Sequence, residues 1–219
     1  MRQPFIYFLI CVFSVTTQAQ VGNDPEAAKI LESIAAKVQN YTDVTYHFQL
    51  NIDFPEQEIV TQQGSYLQKG NHYRLEMPNM ISMSDGETQW LIDREAEEVQ
   101  IHTFLEDDKE NLMNPTNLLS IYNNPRFEYM LTGEKSMGGR ATQQIEFKPK
   151  DKQSEYAKAR MTVEKATSEI ISVEVFGKDG TKYIVDIKQV QPNQEPTVDQ
   201  FVFQEKQFPN FHVEDLRID

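Results

Sequence analysis

The 219 residues contain one cysteine, Cys11. That excludes a disulfide framework and a multi-cysteine zinc site. Cations are scarce as well: 21 Lys and Arg stand against 34 Asp and Glu, a formal charge of −13. So acidic a chain is a poor match for a phosphate backbone, which needs clustered Lys and Arg. It is an equally poor match for electrostatic docking on an anionic membrane surface. The four histidines, His47, His72, His102 and His212, are nowhere three or four positions apart, so no helical metal pair exists. No GxSxG elbow occurs, and Gly138-Gly139 is an isolated turn signal rather than a phosphate loop. Fixed-period repeats, low-complexity tracts and long linkers are also missing. Neither catalysis nor a cofactor has positive support, and the length suits one domain with a sizeable core.

The first 20 residues read MRQPFIYFLICVFSVTTQAQ. Arg2 is a short positive region, residues 5–15 are apolar except for Ser14, and Thr17-Gln18-Ala19 resembles a signal-peptidase site. The run is too short to cross a bilayer, which takes roughly 20 residues. Cys11 lies inside it with no small residue just before it, so it is not read as a lipidation site and is expected to leave with the signal. The expected division is a signal peptide over residues 1–19 and one exported domain over 20–219.

Residues 24–39 are helical by pattern. Asp24 is a good N-cap, Pro25 suits the first helical position, and Ile30, Leu31, Ile34 and Val38 share one face. The period then changes to two: Val44, Tyr46, Phe48, Leu50, Ile52 and Phe54 alternate with Thr45, His47, Gln49, Asn51 and Asp53. This is a strand with one apolar face and one solvated face. Further strands are expected over 59–67, 72–77, 80–84, 88–93, 98–104, 127–131, 141–147, 156–163, 170–176 and 183–190. Ser84-Asp85-Gly86 and Asp179-Gly180 mark tight hairpins. Between strands lies the acidic stretch 106–111, read as a solvated turn. Asn114-Pro115 then opens a short apolar helix carrying Leu118, Leu119, Ile121 and Tyr122. Phe201, Phe203, Phe208 and Phe211 are expected to tie down the C-terminal segment. The sum is a mainly β protein with two or three helices: a large, strongly curved antiparallel sheet or incomplete (open) antiparallel barrel with helices against it.

Apolar mass with no chemistry attached is what remains. Met77, Met80, Met83 and Met113 cluster in the central third, and flexible thioethers suit a surface that fits a variable apolar ligand, though each equally suits an ordinary core.

The motifs also match a family. Ser84-Asp85-Gly86-Glu87-Thr88-Gln89-Trp90 resembles the S-D-G-x-x-x-W hairpin of LolA-type periplasmic carriers of outer-membrane lipoproteins. Gln63-Gly64-Ser65-Tyr66-Leu67 is similar to the family's G-x-L/Y strand. Lys69-Gly70-Asn71-His72-Tyr73-Arg74 resembles its K-x-N-x-[FY]-R turn, in the form most similar to members from Bacteroidota. Asn114-Pro115 falls where the family has a lid helix, and Phe201-Val202-Phe203 resembles its closing F-x-F. The likeness covers about residues 24–216.

The resemblance implies an open barrel around an apolar cavity, and a non-enzymatic, monomeric periplasmic chaperone without cofactors. Its partners would be acylated lipoproteins and an inner-membrane ABC-type extraction complex, with an outer-membrane acceptor left open. The residues expected to line the cavity are Phe48, Leu50, Ile52, Tyr73, Leu75, Met77, Met83, Trp90 and Ile92. Leu118, Leu119, Ile121 and Tyr122 would form the movable cover. Many proteobacterial members latch the lid with an arginine after the lysine; this chain has Gly70 there, which leaves Arg74 as the nearest substitute. Other readings stay open on the sequence: a carrier or sensor of another lipid or glycolipid, an enzyme on lipids or glycans, or an envelope protein whose strands close on a filled core.

Overall fold

The computed structural model describes residues 23–104, Leu112 and residues 115–217. Residues 1–22 (with the expected signal), the acidic stretch 106–111, Met113 and Asn114 lie outside the described residues.

One mostly antiparallel sheet organises the chain. Its strands are β1 (Val44–Asp53), β2 (Val60–Lys69), β3 (His72–Glu76), β4 (Met80–Ser84), β5 (Thr88–Asp93), β6 (Glu98–Thr103), β7 (Phe127–Met137), β8 (Arg140–Pro149), β9 (Tyr156–Glu164), β10 (Ile170–Gly177), β11 (Lys182–Pro192) and β12 (His212–Asp215). Their spatial order is β12-β6-β5-β4-β3-β2-β1-β11-β10-β9-β8-β7, and the ends do not meet. Every neighbouring pair is antiparallel except β12 and β6. An open sheet of this many strands curls. The mainly β, incomplete antiparallel barrel expected from the periodicity is therefore the fold, with β12 added as a parallel edge strand.

Helix α1 (Pro25–Val38) begins where the sequence signals a start. The Asp24 carboxylate accepts from the Glu26 amide at 2.8 Å, and Pro25 occupies the first turn. Ala27, Leu31 and Ile34 are buried at helical spacing. Asp24 has a second task. Its other carboxylate oxygen accepts from the Leu131 amide at 3.0 Å, and its own amide donates to the Tyr129 carbonyl at 3.1 Å. The open edge of β7 is thus covered by the helix start, which removes part of a template for further strand pairing. The short α2 (Pro115–Leu119) runs into a single 3-10 turn, Ile121–Asn123.

Register fixes which side chains share a face, since directly opposed residues point the same way. Tyr46 faces Val190 on β11 and Tyr66 on β2, and Tyr66 in turn faces Leu75 on β3. In the other direction, Val185 faces Val173, Val173 faces Met161, Met161 faces Ile145 and Ile145 faces Leu131. These residues lie on one inner face, across which α1, α2 and the 3-10 turn pack in a single buried cluster. The outer face of the same strands is charged. Glu146 meets Lys158 at 2.6 Å and Arg160 at 3.5 Å, and Arg160 reaches Glu174 at 3.6 Å.

At β4 the pattern inverts. Tyr73 and Leu75 face Ser84 and Ser82, while Met83 and Ile81 face Arg74 and Glu76. Met83 also faces Trp90, and Ile81 faces Ile92, which faces Val99. From β4 to β6 the apolar side chains therefore point outward. They form a second buried cluster, covered by Val202, Phe203, Phe208 and Phe211 of the C-terminal segment. The expected tie-down by these aromatics is real, and its partner is the outer face of three strands. Phe203 stacks on Phe208 with ring centres 5.7 Å apart, and Phe208 meets Phe211 edge-on at 5.2 Å.

Candidate functional site

The residues expected to line one cavity divide between the two faces. Phe48, Tyr73, Leu75 and Met77 are buried on the inner face, with Leu50 half-buried beside them. Ile52 is half-buried on the same face of β1, at the Tyr183 end of the strand. Met83, Trp90 and Ile92 lie on the other side of the sheet in the second cluster, packed against the C-terminal segment. Periodicity puts these three with their strand neighbours but does not say which way a face points; the phase changes between β3 and β4.

The residues expected to form the cover pack on the inner face. Leu118, Leu119 and Ile121 are buried in the inner cluster and Tyr122 is half-buried against it. Tyr122 and Tyr41 lie beside Tyr46, whose hydroxyl is pushed far above its ordinary pKa, mainly by burial and further by these two rings. Burial raises the Tyr122 hydroxyl too. Gly70 is in the left-handed region (φ +57°), and an added Cβ would meet nothing within 4 Å, so the family's latch position points into open space. Arg74 does not replace it. Its side chain lies on the outer face, pairs with Glu76 at 3.1 Å and donates to the Gln200 carbonyl at 3.4 Å. Leu118, Leu119 and Ile121 thus attach the cover to the inner face by apolar packing.

Two inner-face features escaped the sequence reading. Gly64 is one. A Cβ there would meet the Met77 sulfur, the Phe48 ring at 2.7 Å and the Glu76 carbonyl at 3.0 Å, so the missing side chain lets Phe48 and Met77 close over β2. The other is a polar cluster where the apolar residues leave the inner face. Gln89 Nε2 donates to the Tyr73 hydroxyl at 2.8 Å and to Ser82 Oγ at 3.3 Å, and Tyr73 and Ser82 are 3.1 Å apart. Burial raises the Tyr73 hydroxyl, and its bonds to Ser82 and Gln89 pull the other way. Next to it, Gln100 Nε2 donates to Glu98 at 2.8 Å, and Gln100 Oε1 lies 3.4 Å from His102 Nε2. The Ser-Asp-Gly hairpin anchors this end. Gly86 (φ +90°) makes the turn, its amide donates to Ser84 Oγ at 3.0 Å, and the Thr88 amide donates to Asp85 at 2.8 Å.

An open groove of about 430 Å³ lies on the outer side, lined by Arg74, Asp199, Gln200, Gln204 and Gln207. Its lining is polar, unlike the inner face. Among the described residues, no group of three His, Cys, Asp or Glu could hold a metal ion. No described helix is long and apolar enough to cross a membrane.

An open, curled antiparallel sheet with its apolar inner face under two short helical elements and a longer helix is a half-barrel. The family model "Outer membrane lipoprotein carrier protein LolA" matches residues 43–204, and the chain belongs to that family. The family is one of carriers rather than enzymes. No curated protein matches the chain. Among solved structures, an uncharacterized conserved protein from Thermus thermophilus is similar with a TM-score of 0.52 at 10% identity, over 87% of this chain and 99% of that one. A putative outer membrane lipoprotein-sorting protein domain from Vibrio parahaemolyticus gives 0.49 at 12% identity, over 80% and 96%. A LolA superfamily protein from Nitrosomonas europaea gives 0.43 at 11%, over 81% and 97%. At these identities the likeness concerns the fold alone.

Proposed function

We propose that this chain is a periplasmic carrier that shields the acyl chains of lipoproteins between the inner and outer membranes. It would act as one exported domain after removal of the signal peptide. One observation carries the reading: a continuous apolar sheet face, running from β7 to β3, is covered by short helical elements that bury Leu118, Leu119 and Ile121 on it.

An acyl chain in water costs about 0.8 kcal/mol for each exposed CH₂, so a lipid with two or three chains leaves a membrane slowly unless it is received by an apolar surface. The inner face offers that surface once its cover lifts. In the structure the same face packs against Leu118, Leu119 and Ile121. Burial of the carrier's own cover competes with burial of cargo, which keeps binding from becoming irreversible. Phe48, Leu50, Tyr73, Leu75 and Met77 are the lining on this reading, with Ile52 at its end. Met83, Trp90 and Ile92 support the sheet from behind. The energy for loading would come from an extraction complex, and for unloading from the affinity of an acceptor; the protein itself needs no cofactor.

Depletion of the protein in cells, followed by separation of the two membranes, tests this directly. Lipoproteins destined for the outer membrane should accumulate in the inner one. Unchanged partitioning, with another lipid extracted from the purified protein and identified by mass spectrometry, would favour a carrier of that lipid.

A further inference from the structure

The inner face is not apolar throughout, and its polar part is built in register. Tyr73, Ser84, Gln89 and His102 are successive directly opposed residues on β3, β4, β5 and β6, and Leu75, Ser82, Leu91 and Gln100 form the next row. At roughly 4.8 Å for each strand step, the first row spans about 14 Å. It continues the apolar face without a break, since Tyr73 belongs to the buried cluster that the helices cover. The outer members of the two rows, Gln89, Gln100 and His102, are half-buried rather than sealed.

The charge on this face is one-sided. Among the described strand residues, the register puts no Lys or Arg on the inner face. Arg74, Lys158, Arg160 and Lys182 all face outward, and Lys188, in the bulge opposite β1, pairs with the outward Asp186 at 3.8 Å. Glu98 and Asp93 stand on the inner face at the far end of the polar rows. Among the described strand residues, a phosphate held there would find no Lys or Arg while it lost water and met two carboxylates, which is costly in a partly dry site. Ester and amide carbonyls or free hydroxyls, in contrast, find side-chain amides and hydroxyls.

Resting on the carrier reading above, we infer that the patch formed across these two rows by Tyr73, Ser82, Gln89 and Gln100 binds the uncharged polar head of an acylated ligand, a glyceryl ester or acyl amide, and discriminates against phosphate-headed lipids.

Two water-dispersible probes with the same chains test it: dioctanoylglycerol and dioctanoylphosphatidic acid, each displacing a fluorescent fatty-acid probe from the full mature chain. The wild type should prefer the neutral probe. Gln89→Leu with Gln100→Leu should weaken the neutral probe about three- to tenfold for each hydrogen bond lost, and leave the phosphate probe unchanged. Gln89→Lys should narrow the preference, and added salt should restore it. The greater solubility of the phosphate probe cancels where variants are compared, and the wild-type preference is read with both probes below their aggregation thresholds and referred to free probe concentration. Equal or stronger binding of the phosphate probe by the wild type would overturn the inference. So would a preference that neither the Leu nor the Lys variants move. Displacement by neither probe, in a protein with a cooperative thermal transition, would overturn the carrier reading and this inference with it.

Discussion

Shortening Leu119 to Ala should tighten the binding of a fatty-acid probe rather than weaken it. Leu119 is 8% exposed, between Leu118 at 6% and Ile121 at 1%. The helix that carries it, Pro115–Leu119, has five residues. So short a helix has no stability of its own and exists because its leucines are buried. Leu to Ala in a core costs about 2–5 kcal/mol, and a cover that relaxes around the change falls toward the low end, about 2–3 kcal/mol. If the cover opens as a local unit, the open population rises by about 30- to 150-fold. Apparent affinity for a ligand that binds only the open form rises by the same factor until that form dominates. The global thermal midpoint should move little, because the cover leaves before the sheet unfolds. Val173→Ala is the control. Val173 is fully buried in the middle of the sheet, so its truncation should lower the midpoint without tightening the probe. The assay is a fluorescence titration on all three proteins beside their melting curves. Unchanged affinity in L119A, or equal tightening in V173A, would refute the reasoning.

Three further outcomes follow from the geometry. Gly64→Ala should destabilise by about 1–3 kcal/mol, lowering the midpoint of a domain this size by roughly 2–4 °C for each kcal/mol, despite the small gain usual when glycine leaves an unfolded chain. The clash is with Met77, so Met77→Ala should cost less in the Gly64→Ala background than in the wild type, a coupling that a double-mutant cycle reads. Phe203→Ala and Phe208→Ala should each cost about 2–4 kcal/mol by uncovering Met83 and Trp90, yet leave neutral-ligand affinity intact in the folded fraction; a loss of binding as large as that from inner-face truncations would contradict the two-cluster division. Stability should fall on acidification. Burial alone would raise Glu146 and Glu76, but hydrogen bonds and nearby cations, Lys158 and Arg160 for the first and Arg94 and Arg74 for the second, hold both below the ordinary range. Carboxylates depressed in the folded state contribute above the unfolded pKa and lose that contribution as pH falls through the folded one. The melting midpoint should therefore be flat between about pH 5 and 8 and drop below about pH 4, less steeply in Glu146→Gln.

Much of the architecture was legible in local patterns. Asp24-Pro25 and the apolar spacing of residues 30–38 marked α1, and six alternating apolar positions marked β1. Asp85-Gly86 marked the β4–β5 turn, where a left-handed residue is required. The site was harder to read because a period of two gives two faces and no direction. Met83, Trp90 and Ile92 carry the same alternation as Tyr73 and Leu75, and the inversion between β3 and β4 depends on a register that only pairing sets. A clue lay in Phe201, Phe203, Phe208 and Phe211. Four aromatics in a segment without strand periodicity need an apolar surface to cover, and the inner face already had its helices. The parallel pairing of β12 with β6 joins residues 212–215 to 98–101, a distance over which no local signal acts. Gly64 was visible as a glycine inside a strand, a mark of close approach by neighbouring groups. What approached it required the fold.

The central claim is that acyl chains occupy the helix-bearing face of the sheet. Photolysis of a bound fatty acid carrying a diazirine near its methyl end, followed by peptide mass spectrometry, tests it most directly. The account predicts adducts on Phe48, Tyr66, Leu75 and Met161, with fewer when the cover residues Leu118 and Leu119 are intact than when they are truncated. Adducts concentrated on Met83, Trp90 and Phe208 would contradict it.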